Sequence, residues 1–225
     1  MNLIYNFLQD LNNNNSFGWM KDNKAYYEQA KSDFDVLILK LINGIKTFDN
    51  SILILPPKDY MIKLNRDTRF SHDKSPYNPS FRAHISKAGK LPIPVGYFIN
   101  IRPKNTFLGG GLFASMFSEA TKSIRDYIIQ REKEFTEIIG KQNFKKNFTV
   151  KGEKLKNVPK EYDGGHKLAE YLKHKSWYLE YKVTDKIFLD NGNFVETSVE
   201  IFKHMKPFND FLNEALRDFK MPERK

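Results

Sequence analysis

The sequence predicts an α+β fold, a mainly antiparallel sheet packed with N-terminal, central and C-terminal helices. Three observations predict it. Apolar residues recur at helical spacing at both ends and in the middle of the chain. Strand-like runs rich in branched and aromatic residues lie between those blocks, which favours antiparallel pairing. No internal repeat and no linker long enough to compel two domains is present, so one domain over residues 1–225 is expected. The 19 phenylalanines, 11 tyrosines and 2 tryptophans supply the apolar volume of a globular core.

Taken in order, Leu3, Ile4, Phe7, Leu8 and Leu11 follow the spacing of an amphipathic helix, and Asn12–Asn15 ends it because asparagine tolerates the left-handed conformation of a helix stop. Asp22 is read as the N-cap of a second helix with Tyr27, Ala30, Phe34, Leu37, Ile38, Leu41 and Ile45 on one face. Trp19, just before that cap, reads as a core aromatic pinning the two helices, with a ligand-stacking platform as the other reading. Ile52–Leu55, stopped by Pro56-Pro57, and Asp59–Leu64 read as strands, as does Gly96–Arg102 before Pro103.

Phe107–Phe113 carries three consecutive glycines. It lacks the spacing of a P-loop or a dinucleotide fold, so a bulge or tight strand corner is expected. Ser118 is read as the cap of a helix running to Ile139 and stopped by Gly140. Lys141–Lys160 has few apolar anchors and reads as a basic hairpin or an irregular arm. A short helix over Lys167–Lys173, a strand at Trp177–Val183 and a C-terminal helix over Phe194–Phe219 complete the chain, with Pro207 expected to kink or restart the last.

The chemistry concentrates in Lys63–Ser86, KLNRDTRFSHDKSPYNPSFRAHIS. Pro76 and Pro79 exclude helix there, and Phe81, Ala83 and Ile85 alternate with Arg82, His84 and Ser86 as in a half-buried strand. Two strands therefore flank a long charged connection, a common place for functional groups on a rigid scaffold. Arg66, Arg69, Lys74 and Arg82 are the candidate anion donors, with Ser71 and Tyr77 as further donors. Arginine's planar fork suits phosphate or carboxylate, while lysine acts as a point charge. Asp67 and Asp73 are the candidate catalytic residues, as orienting groups or as a base. Arg66-Asp67 and Asp73-Lys74 also read as two salt bridges that hold an irregular loop. Asp67, His72, Asp73 and His84 match no metal template, so no metal site is expected, and no cofactor is named.

Arg66-Asp67-Thr68-Arg69-Phe70-Ser71-His72-Asp73-Lys74-Ser75-Pro76-Tyr77 resembles the signature block of a conserved hypothetical family, domain of unknown function twenty-four sixty-one. Asn14-Asn15 with Trp19 and Lys24–Glu28 resembles its N-terminal entry, Phe107–Leu112 its glycine turn, and Leu155-Lys156, Pro159-Lys160 and Tyr162-Asp163 its later motif. Lys63 stands where that pattern has arginine, Asn78 where it has lysine, and Gly164–Lys167 in place of an acid-His-Pro run. The resemblance spans nearly the whole chain and implies a fold and a site location, not a reaction.

The net charge of +10 is local: residues 56–90 hold eight Lys/Arg against three Asp, and residues 141–160 seven Lys against one Glu. Such fields attract phosphates, nucleic acid or acidic surfaces, or simply solvate a face. The absence of cysteine excludes disulfides and thiolate zinc sites. No run approaches the roughly 18 apolar residues of a membrane span, and Met1–Asn6 lacks a basic leader, so a cytoplasmic address without membrane partners is expected. Three functions remain: a protein, enzyme or not, acting on a phosphate- or carboxylate-bearing small molecule; a nucleic-acid binder using both basic segments with aromatic stacking; and a structural or partner-binding module. The first is favoured. The sequence names no oligomeric state.

Overall fold

A computed structural model describes residues 1–222. The elements are α1 (Asn2–Asn13), α2 (Phe17–Asp22), α3 (Lys24–Lys46), a 3₁₀ turn at Pro57–Asp59, β1 (Met61–Ile62), β2 (Phe81–Ile85), β3 (Gly96–Ile101), β4 (Thr106–Leu112), α4 (Ser118–Gln130), α5 (Glu132–Gly140), α6 (Gln142–Asn147), α7 (Ala169–Leu172), β5 (Trp177–Val183), α8 (Asp185–Leu189) and α9 (Asn191–Ala215). The five strands form one antiparallel sheet in sequence order, so the α+β expectation holds. By backbone contacts the chain divides into two compact units. The first comprises 1–90, 98–108 and 182–203, and the second 91–97, 109–181 and the chain from His204 onward.

In the first unit, the i, i+3, i+4 spacing of Ile4, Phe7, Leu8 and Leu11 puts all four on one buried face of α1. The same periodicity buries Ala30, Phe34, Leu37, Ile38, Leu41, Ile42 and Ile45 of α3. Phe81, the first residue of β2, lies between the two helices. Its ring stacks on Phe7 at 5.8 Å and 14° and on Phe34 at 5.1 Å and 12°. All three rings are fully buried. Near the other end of α3, a Cβ on Gly44 would meet Val199 at 2.3 Å, so glycine there lets α3 approach the first half of α9.

The second unit is built around β5, α4, α5 and the second half of α9, with the Phe211 ring against Tyr127 and Phe135 at 4.9 and 5.2 Å. Its buried Arg125 holds the end of α7. Nε and a terminal amine donate to the Leu172 and His174 carbonyls, both at 2.8 Å. A cation at a helix C-terminus meets carbonyls left without intrahelical donors. Gly111 has φ +93, and a Cβ there would lie 2.4 Å from the Trp177 carbonyl oxygen. The glycine run lies within the regular strand β4 and makes a close backbone approach to β5, where the sequence reading expected a bulge or tight strand corner.

Several boundaries differ from the sequence reading for local reasons. Asp22 closes α2 instead of capping α3; the side-chain cap is Ser16, which accepts the Trp19 N–H at 3.2 Å. Ile52–Leu55 has no strand partner, since Lys46 Nζ takes the Ile52 carbonyl at 3.0 Å and the Tyr60 hydroxyl takes that of Leu53 at 2.6 Å. The strand expected over Asp59–Leu64 keeps regular pairing only at Met61–Ile62. The helix expected over 118–139 breaks at Arg131 (φ −114, ψ 37), and Ser118 is its first residue, not its cap. The arm at 141–160 begins with α6 and then bridges the segment before and in β5 through Lys154–His174 and Lys151–Tyr178. The helix expected over Lys167–Lys173 contracts to α7, and α8 has no counterpart in the sequence reading. Pro207 neither ends nor restarts α9, which runs unbroken from Asn191 to Ala215.

This packing sets the cost of two substitutions. Phe81→Ala removes a ring held on both sides and is expected to cost about 3–5 kcal/mol, read by urea denaturation; a loss under about 1 kcal/mol would contradict the stack's importance. Gly111→Ala combines positive φ with a backbone clash and should cost more than about 2 kcal/mol. A variant with unchanged melting temperature would refute that account.

Candidate functional site

The charged connection is a long excursion between β1 and β2. The strands pair antiparallel at Met61–Ala83 and Ile62–Arg82. The ladder then continues past the regular strands: Asn65 bridges Tyr77, the Asn78 N–H donates to the Leu64 carbonyl at 2.8 Å, and the Arg66 N–H donates to the Pro76 carbonyl at 2.9 Å. Only residues 67–75 are left to form the tip. Asn15, just beyond α1, fixes this ladder from the side. Its amide accepts the Tyr77 N–H at 3.1 Å and donates to the Tyr77 carbonyl at 2.8 Å, as a neighbouring strand would.

Arg66 leaves the ladder at the base of the tip. Its guanidinium donates to Asp73 at 2.5 Å, to the Ser75 carbonyl at 3.2 Å and to the Ser71 hydroxyl at 3.3 Å. Asp73 is itself oriented by the Ser75 N–H at 2.9 Å. The Ser75 donors, followed by Arg66, bring its carboxyl down to about 2. A carboxylate so stabilised is a poor proton acceptor near neutral pH and a good orienting group.

Arg66, Asp73 and Tyr77 line a cleft of about 360 Å³ together with Asn12, Asn15 and Arg102. Arg102 stands at the end of β3, where its N–H donates to the Thr106 hydroxyl at 3.2 Å across a tight turn to β4. That turn requires left-handed backbone at Lys104 (φ 63), uncommon for a residue with a Cβ. Asp185 at the start of α8 holds it, accepting the Lys104 N–H at 2.9 Å and the Tyr5 hydroxyl at 2.8 Å. The Arg102 side chain is exposed and, among the described residues, has no carboxylate partner. An adjoining cleft of about 250 Å³ shares Asn12, Pro79 and Arg102 and adds Lys104.

The other predicted residues are placed differently. Asp67 and Arg69 form a pair on the tip, with the guanidinium bonding both carboxylate oxygens at 2.6 to 3.2 Å. The Arg69 side chain is 78% exposed, and the pair does not line the cleft. Its bonds to Arg69 lower the Asp67 carboxyl to about 2. Lys74 donates to the Thr68 carbonyl at 3.0 Å and ties the tip to itself. Ser71 reaches the site through Arg66 alone. Arg82 is half-buried on β2, with one amine on the Lys63 carbonyl at 3.0 Å and a buried Nε without a hydrogen-bond partner. Burial lowers its pKa. The structure therefore brings together Arg66, Ser71, Asp73 and Tyr77, and it adds Asn12, Asn15 and Arg102, which the sequence does not single out as site residues. Charge clustering gives no signal for Arg102, which sits alone at a strand end. For Asn15 the sequence signal is its place in the family resemblance.

Among the described residues no group of three or more histidine and carboxylate side chains is placed to hold a metal ion, and no helix is long and apolar enough to cross a membrane. A family model described as "Conserved hypothetical protein (DUF2461)" matches residues 4–211. No curated protein and no solved structure matches the chain.

The Arg66–Asp73 pair makes an acid-range prediction. The folded carboxyl lies near 2, below the unfolded value of about 3.9, so its stabilisation is complete above about pH 4 and is lost as pH falls through about 2. Asp73→Asn should therefore melt below wild type at pH 5, with the gap closing towards pH 2. A gap that stays constant over that range would show that Asp73 does not act through its charge.

Proposed function

The chain belongs to the DUF2461 family of conserved hypothetical proteins, and from that premise we propose that it binds a small molecule bearing a phosphate or carboxylate group in the Arg66–Arg102 cleft. One observation carries the reading: two guanidiniums line a single cleft, and one of them, Arg102, has no carboxylate to neutralise it among the described residues. Arg66 is held in place by Asp73, Ser71 and the Ser75 carbonyl. Such preorganisation lowers the ordering cost of gripping an anion, and the guanidinium fork fits its oxygens two at a time. Asp73 is the cleft's carboxylate and is already engaged. Asn12, Asn15 and Asn78 supply neutral amides that can donate to a ligand without repelling it. The low carboxyl values of Asp67 and Asp73 support orienting roles over proton abstraction.

Nucleic-acid binding through the second basic segment is the weaker reading. Lys151 pairs with Glu180 at 2.6 Å and Lys154 with Glu170 at 3.4 Å, so part of that positive charge is neutralised internally.

Isothermal titration calorimetry with inorganic phosphate and succinate tests the proposal. Wild type should bind at least one of them, and Arg66→Lys and Arg102→Lys should each weaken binding by about tenfold while melting near wild type, because lysine keeps the charge and loses the fork. Absence of heat with both anions at up to about 10 mM, some tenfold above a 1 mM dissociation constant, would overturn it. So would variants that bind as wild type does.

A further inference from the structure

We infer that the anion is carried on a flat aromatic or heteroaromatic ring, as in an aryl phosphate or a nucleoside monophosphate, with the ring seated against Phe17 and Tyr77. This inference rests on the anion-binding reading of the Arg66–Arg102 cleft and names the class of molecule that cleft would take.

The observation behind it is that Tyr77 is a wall of two clefts. On one side it lines the arginine cleft, and on the other it lines a cleft of about 300 Å³ with Phe17, Met20, Tyr27 and Leu64. The second cleft is of opposite character, with aromatic and aliphatic surfaces where the first has amides and guanidiniums. A ligand spanning Tyr77 would thus meet charge at one end and π-surface at the other. Small-molecule sites commonly pair an apolar wall with a few fixed polar groups in this way.

The second cleft is framed by α2, whose sequence FGWMKD is half large apolar residues and yet buries none of them. Phe17 is 71% exposed, and its edge meets the Tyr77 ring at 5.8 Å and 72°. Trp19, by contrast, has a core partner in Phe7 at 6.0 Å. Tyr77 is the rigid half of the platform, buried and held by Asn15 through both of its backbone polar groups. Lys21 and Lys24 also line this cleft, as does one acid, Glu28, so its rim is net positive and suits an anionic ligand.

Calorimetry with four probes tests the inference: inorganic phosphate, ribose 5-phosphate, phenyl phosphate and adenosine 5′-monophosphate. The two probes with an aromatic ring should bind about tenfold or more tighter than inorganic phosphate and ribose 5-phosphate, in line with the usual gain from stacking on an aromatic side chain. Phe17→Ala should remove that increment and leave the affinity for inorganic phosphate unchanged, while Phe17→Tyr should retain it. Because Phe17 is exposed, both variants should fold, which their melting curves verify. If all four probes bind alike, or if Phe17→Ala keeps the preference, the ring inference fails and the anion reading stands. If none binds, the ring inference fails, and the anion reading falls with it when succinate also gives no heat.

Discussion

The stacking of Phe81 between Phe7 and Phe34 is the interaction on which the first unit depends. Each ring comes from a different element, α1, α3 and β2, and each is fully excluded from water. Offset stacking of this kind adds about 0.5–1.5 kcal/mol per pair to the area buried. Its positional effect matters more. Phe81 is the first residue of β2, so seating its ring determines where the chain re-enters the sheet after the charged excursion. Because side chains alternate along a strand, the register at Met61–Ala83 follows from it, and with the register comes the side from which Arg66 emerges.

From that anchor the site is assembled by hydrogen bonds to the backbone more than by ion pairs. Asn15 closes on Tyr77 as a surrogate strand, and Asp185 stabilises a left-handed lysine so that Arg102 leaves β3 facing the same cleft as Arg66. The Arg69–Asp67 pair of the tip is exposed, and exposed pairs contribute little to stability. What the pairs of the tip do is orient. Asp73 limits the rotamers of Arg66, whereas Asp67 satisfies Arg69 away from the cleft. The same residue types, a few positions apart, thus serve a cleft in one case and a loop tip in the other.

This arrangement bears on how the charge of the chain should be understood. The basic stretch at residues 141–160 is richer in lysine than the site, but Lys151 and Lys154 are paired with glutamates. The proposed site instead has few charges, two of them guanidiniums in a cleft whose acid is already engaged. For recognising a small anion, the geometry of unneutralised donors matters more than the local count of lysines.

By itself the sequence determined the α+β class, the helical faces of α1 and α3, the strands β3 and β5, and the segment in which the candidate site was sought. These features depend on periodicity, on proline and glycine, and on neighbours within about a turn, all of which one chain displays directly. The ion-pair partners in the loop differ from that local reading, since Arg66 pairs with Asp73 and Arg69 with Asp67. Only the tertiary structure decided that Asp67, Arg69 and Lys74 do not line the cleft, that Ile52–Leu55 stays unpaired, and that α9 continues through Pro207. It alone brought Arg102 and Asn15 to Arg66, across separations that leave no periodic trace. The physical reason is that a cleft is formed by residues distant in sequence, selected by which rings pack together. Spacing along the chain carries no information about which rings those will be.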